Sequence, residues 1–258
     1  MDQVKITYLG QAGFAIEYKG TCVVTDPYLS DYVDRTASSD AVCWERLYAP
    51  PCTLTDLHPD AVLISHAHGD HMDPWTLTPY IQSGGHALLA APVPETGALL
   101  DIGATNVYGA IAEECFSIGN IAICPIPCAH TEFSTDAHGR YHALSYIITC
   151  GEAKIFFGGD LSLYDGLTER IASEQCDALI LPVNGRDYYR TEMGIIGNID
   201  FREAAKLTRL SGASFLIPMH HDLYRVNGCR IEWVRDAAAD EGVALRELSP
   251  GESLILEA

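Results

Sequence analysis

The sequence predicts an α/β fold, and three observations carry that prediction. Short apolar runs bounded by Gly, Pro and Asp recur along the chain. Strands outnumber helices in the first half, whereas the second half alternates the two. No linker, low-complexity tract or visible repeat divides the 258 residues, so 1–258 reads as a single domain.

The elements follow in order. Val4–Leu9 and Phe14–Tyr18 flank Gly10-Gln11-Ala12-Gly13, a connection of hairpin length, and Thr21–Thr25 follows Lys19-Gly20. Asp26-Pro27 stops that strand, because proline has no N–H for a ladder. Residues 30–59 mix charge, Trp44, Tyr48 and Pro50-Pro51 with little periodicity, which marks a rim or lid loop. Ala61–Ser65 is a short apolar run ending at His66, the pattern of a buried strand. Asp73 is an N-cap with Pro74 at the first helical position of a helix running to about Gln82. Further strands are read around His86–Ala90, Ile121–Pro127, Ala143–Thr149 and Lys154–Gly158. A helix over Leu167–Glu174 precedes a strand at Ala178–Pro182, and Asp200 caps a helix from Phe201 to Leu210. Ser214–Pro218 is a strand, Ile231–Asp240 a helix and Ser253–Leu256 a closing strand.

Composition narrows the function. Sixteen basic against 35 acidic residues give a formal net charge of −19, which disfavours nucleic acid and anionic membranes as partners. No apolar run approaches the roughly 20 residues that span a bilayer. The first residues lack a basic segment followed by an apolar one, so no secretory signal is read. Nine cysteines, none in a CxxC pair, are expected to be reduced thiols of a cytoplasmic protein.

Chemistry concentrates in Ser65-His66-Ala67-His68-Gly69-Asp70-His71-Met72-Asp73-Pro74. The H-x-H-x-D-H run puts His66, His68, Asp70 and His71 at the end of a strand. Four such groups do not all reach one tetrahedral ion without strain, but a turn can direct alternate residues at two ions. Imidazoles and carboxylates without thiolate suit zinc, manganese or iron. His130, Asp160, His220 and Asp26 each stand just past an apolar strand, where open α/β sheets gather ligands.

The ordered set Asp26, His66-x-His68-x-Asp70-His71, His130, Asp160, His220 resembles the motif series of the metallo-β-lactamase superfamily. The resemblance implies a four-layer αβ/βα sandwich, with two sheets packed face to face and helices outside. It also implies that His66, His68 and His130 hold one ion while Asp70, His71 and His220 hold a second. Asp160 would bridge the two ions, and Asp26 would support the ligands from behind. Pro218-Met219-His220 is similar to the family's last motif, so His220 is preferred to His221 as the ligand, and His221 is left to contact substrate or orient water. His58, His86, His138 and His142 receive no ligand role, although His138 and His142 lie near enough to His130 for the rim.

Three segments resemble the L-ascorbate-6-phosphate lactonase branch of that superfamily: Thr25-Asp26-Pro27-Tyr28-Leu29-Ser30-Asp31, Asn184-Gly185-Arg186-Asp187-Tyr188-Tyr189-Arg190 and Pro218-Met219-His220-His221-Asp222. That branch implies a manganese-favouring, homo-oligomeric cytoplasmic enzyme that opens a phosphorylated sugar lactone with a metal-bridged hydroxide. Asp70 and Asp160 would be its catalytic carboxylates, Asp70 orienting the water or taking its proton. Arg186, Tyr188 and Arg190 would contact the substrate, with the two arginines anchoring a phosphate. Arginines so placed also pair readily with carboxylates such as Asp187 and Glu192. A phosphodiesterase acting on a small phosphodiester is the alternative enzyme, and a non-catalytic di-metal protein is the alternative outside catalysis.

Overall fold

The computed structural model describes residues 2–257. Its first sheet holds β1 (Gln3–Gly10), β2 (Gly13–Tyr18), β3 (Thr21–Thr25), β4 (Ala61–Leu63), β5 (Leu88–Pro92), β6 (Val107–Ala110) and β14 (Ser253–Glu257), in the order β14-β1-β2-β3-β4-β5-β6. The second holds β7 (Phe116–Ile118), β8 (Ile121–Pro127), β9 (Leu144–Cys150), β10 (Ala153–Phe157), β11 (Ala178–Pro182), β12 (Phe215–Met219) and β13 (Ala244–Leu245), in the order β13-β12-β11-β10-β9-β8-β7. β14 returns to pair antiparallel with β1, Val4 facing Leu256, so the two ends of the chain share one sheet edge.

Side-chain alternation along the strands explains the layers. Val4, Ile6 and Tyr8 of β1 join Ile155 and Phe157 of β10 and Ile180 of β11 in one cluster between the sheets. Phe156, Leu179 and Leu181 point the other way, into a second cluster that includes residues of α4 (Leu167–Glu174), α6 (Phe201–Ser211) and α7 (Ile231–Glu241). α2 (Pro74–Gln82) and α3 (Thr96–Asp101) cover the outer face of the first sheet through Leu77, Tyr80 and Leu99. Strands buried on both faces need apolar side chains throughout, hence runs such as Ala178-Leu-Ile-Leu-Pro. These are the four layers of an αβ/βα sandwich.

Residues 30–59 are only partly irregular. They carry α1 (Tyr32–Thr36) and a 3₁₀ turn (Thr55–Leu57), and Tyr28 pins the start of the segment by a 2.6 Å bond to Tyr224. The expectation of uniformly reduced thiols is corrected: Cys115 and Cys124 form a disulfide, leaving seven free cysteines. The β7–β8 register pairs Phe116 with Ile123, which sets the two adjoining cysteines side by side.

Strand direction creates the site. β3 and β4 are parallel to one another, as are β10, β11 and β12, while β8 reverses twice, through β9, to run with β10. Asp26, His66, His130, Asp160 and His220 follow the C-terminal ends of β3, β4, β8, β10 and β12, and the two sheets deliver them to one end of the sandwich.

Candidate metal centre

Two groups of donors converge there. Ligand atoms of His66, His68, His130 and Asp160 lie within 4.8 Å of one another, and those of Asp70, His71 and His220 meet the same limit. Asp160 faces both groups: its Oδ1 lies 3.2 Å from His71 Nε2 and 3.4 Å from His220 Nε2, and its Oδ2 lies 3.5 Å from His130 Nε2. The structure therefore gathers all seven residues expected as ligands, and it takes His220 rather than His221 into the cluster.

The residues behind them set the tautomers. Asp26 Oδ2 accepts from His71 Nδ1 at 2.7 Å, which directs Nε2 at the cluster. Ser65 donates its hydroxyl proton to the same Asp26 oxygen at 2.6 Å and its N–H to Oδ1 at 2.7 Å. With its proton so committed, Ser65 Oγ accepts from His66 Nδ1 at 2.9 Å and directs His66 Nε2 inward as well. One buried carboxylate thus orients a ligand in each group. The sequence reading assigned Asp26 to this position and missed Ser65.

Gln11, in the β1–β2 turn, was also missed. Its Nε2 donates to Asp70 Oδ2 at 2.8 Å, and its carbonyl accepts from the His220 N–H at 2.8 Å. Asp26, His220 and Gln11 all have positive φ, at 34°, 60° and 54°, so backbone strain collects at this site. Gly159 also has positive φ, and a Cβ there would come within 2.7 Å of Ser65 Cβ, so only glycine lets the turn before Asp160 pass so close.

The donor set fits metal ions. His66 Nε2 is buried without any hydrogen-bond partner, which costs about 1–3 kcal/mol unless something else satisfies it, and His71 Nε2 and Asp160 Oδ1 face one another at 3.2 Å without a well-directed bond. Burial holds the His66 ring well below its ordinary pKa, reinforced by His71, and pushes His130 down to about 4 despite the Asp160 carboxylate. Burial opposes ionisation of Asp160, but His220 and His71 outweigh it and hold the carboxyl well below its usual range. Asp70 is depressed in the same way, chiefly by His71 and His220 acting against burial. The His66 and His130 rings are thus neutral, as a divalent cation requires, whereas against the effect of burial Asp160 and Asp70 draw the His71 and His220 rings up, so an entering ion would displace protons there.

The expected substrate contacts are placed differently. A cleft of about 220 Å³ opens onto His68, Asp70, Asp160 and His220, and Val33, Trp44, Ile195, Ile196 and Asn227 also line it. Arg186 is not among its lining residues: it is paired bidentately with Glu203 at 2.7 and 2.8 Å. Arg190 is bound to Asp187 at 2.5 Å and to the Asn184 carbonyl at 2.8 Å. Both guanidiniums are therefore neutralised within the protein instead of facing the cleft as phosphate anchors. Tyr188, on the short α5 (Tyr188–Glu192), is 71% exposed against Tyr189 and outside the cleft lining. His221 stacks on Tyr8 and lines a separate depression with Asp222 and Cys229, so it does not meet the donor cluster. His142 pairs with Glu95.

An α/β sandwich with two adjoining His/Asp donor groups at its strand ends defines a class of metal-site proteins. The sequence profile of the beta-lactamase superfamily domain matches residues 5–220, and the chain belongs to that superfamily. A "UPF0173 metal-dependent hydrolase" of Carboxydothermus hydrogenoformans is 22% identical over 255 residues, covering 98% of this chain and 100% of the relative. Among solved structures, Igni18, a metallo hydrolase of Ignicoccus hospitalis, superposes with a TM-score of 0.75 at 19% identity, covering 99% of both chains. The metallo-beta-lactamase fold protein YhfI of Bacillus subtilis gives 0.72 at 17%, covering 99% of this chain and 100% of its own. These structural likenesses establish the fold. Among the described residues, no helix is long and apolar enough to cross a membrane.

Proposed function

We propose that this protein is a dinuclear metal-dependent hydrolase whose electrophile is the carbonyl of a small lactone or ester. The observation that carries the reading is the pair of donor groups joined by Asp160, with buried ring nitrogens that have no other partner. His66, His68 and His130 hold one divalent ion, Asp70, His71 and His220 hold the other, and manganese, zinc or iron suits such donors. When bound, the ions supply Lewis acidity and lower the pKa of a water to about 7. Asp70, held in place by Gln11, would orient the attacking water and take its proton. The water oxygen would add to the carbonyl carbon, the ring or ester C–O bond would break, and the leaving oxygen would take up the proton held by Asp70.

A lactone is the substrate implied by the resemblance to the lactonase branch. Its phosphate is left out of the proposal, because the arginines meant to hold it are paired elsewhere and no Lys or Arg lines the cleft. The same lining argues against a phosphodiester. Hydrolysis of short γ-lactones, with a generic phosphodiester assayed in parallel under manganese and under zinc, tests this reading. We expect lactone opening that His66→Ala and Asp160→Ala each reduce by at least about 10³-fold, with the far-UV spectrum unchanged. Turnover of the phosphodiester alone contradicts it.

A further inference from the structure

The cleft contains one buried side-chain amide that the donor clusters do not use. Asn227 lies between β12 and α7, is 6% exposed, and lines the cleft together with His68, Asp70, Asp160 and His220. Its Oδ1 accepts two bonds, from Asn184 Nδ2 at 3.0 Å and from Arg190 Nη1 at 3.2 Å. A guanidinium only donates, so the atom facing Arg190 is the oxygen, and the amide cannot be turned over without setting donor against donor. Asn184 is fixed in turn: its Oδ1 accepts from Asn198 Nδ2 at 3.1 Å and its carbonyl accepts from Arg190. All three asparagines are buried. This network saturates one end of the Asn227 amide, while Nδ2 bonds to no described residue.

The rest of the lining sets the chemistry that Nδ2 meets. Val33, Ile195 and Ile196 are apolar, Trp44 adds an indole ring, and no Lys or Arg is among the lining residues. A donor held rigidly in an apolar cleft beside a metal centre matches an acceptor oxygen on a ligand that is otherwise apolar.

We propose that Asn227 is the substrate-orienting donor of this cleft, presenting Nδ2 to the oxygen of a small, uncharged carbonyl compound with a short apolar arm, and that Arg190 is the positioning residue that aims it. The inference rests on the hydrolase reading above. It returns Arg190 to the site in a different role, one layer behind the substrate.

The test uses the full chain loaded with cobalt(II), with butyrate as a binding probe followed through the cobalt absorption bands and γ-valerolactone as substrate. Asn227→Asp is the informative variant, since it keeps an acceptor for Asn184 and Arg190 and deletes the donor, while adding a negative charge. We expect unchanged cobalt uptake, butyrate binding weakened at least about tenfold and kcat/KM for the lactone lowered about 10–100-fold. Asn227→Leu, which removes the donor without adding charge, should give the same direction. Arg190→Lys should lower kcat/KM less, and the double variant Arg190→Lys/Asn227→Asp should be no worse than Asn227→Asp, as expected when one residue acts through the other. The wild type should also favour γ-valerolactone over a phosphorylated sugar lactone by at least about tenfold. Full butyrate affinity and turnover in both Asn227 variants, or a preference for the phosphorylated lactone, overturns the inference while leaving the hydrolase reading intact. Failure of the wild type to take up cobalt overturns both.

Discussion

Asp26 shows how much of the site one buried carboxylate organises. It is fully buried, and it accepts from His71 Nδ1 and from both donors of Ser65, and so directs ring nitrogens in both donor groups. Asp26→Asn removes one acceptor oxygen from this arrangement. Loss of an orienting partner of this kind typically costs 10–100-fold in metal affinity, and a chelator-competition titration should find a weakening of about that size. Unchanged affinity would contradict the orienting role. A second carboxylate makes a prediction in pH. Asp136 accepts from Arg140, first through its guanidinium and then through its backbone N–H, and these bonds push its pKa down to about 2. A depressed carboxyl stabilises the folded state above its unfolded pKa of about 4, and that contribution fades as pH falls from about 4 to about 2. The Asp136 carboxyl carbon followed by NMR should titrate near the lower value, and a midpoint near 4 would refute the pairing.

At the scale of elements, capping and strand ends were the legible features. Asp73 and Asp200 cap α2 and α6 as the sequence indicates, Asp73 accepting from Trp75 N and Asp200 from Arg202 N and Glu203 N. Glu203 closes a capping box back onto the Asp200 N–H, and its carboxylate also holds Arg186. Asp200→Ala should therefore destabilise the fold by about 1 kcal/mol in urea denaturation. No change would mean that α6 is held by its packing alone. Other elements were hidden from the sequence for physical reasons. β6 and β7 are four and three residues long, too short for alternation to register. α1 and α5 span five residues each, and neither has a buried side chain to give an apolar stripe. β5 begins at Leu88, two residues beyond the predicted start at His86. Ser65 and Gln11 escaped notice because serine and glutamine are common, and their roles depend on distances across the fold. The pairing of Arg186 with Glu203 spans 17 positions and was equally invisible.

For the whole molecule, the sandwich and the site make separate demands on the sequence. The core between the sheets is continuous apolar packing from both halves of the chain, and the two outer clusters seal the helices, so the fold does not need an ion to assemble. The donors sit at strand ends beyond that core, which is why a chain with a net charge of −19 can concentrate the carboxylates of Asp26, Asp70 and Asp160 and five histidines there without disturbing it. The ordered His and Asp motifs were legible because their spacing is local or tied to strand ends, whereas the substrate contacts were not, since they depend on which guanidiniums find carboxylates first. The central claim is that the two donor groups each hold a divalent ion. Metal content measured by inductively coupled plasma mass spectrometry, after loading with manganese or zinc and dialysis, tests it most directly. Close to two ions per chain are expected, against a background value in a His66→Ala/His71→Ala double variant of unchanged secondary structure. A wild type that retains no more metal than that variant would contradict the account.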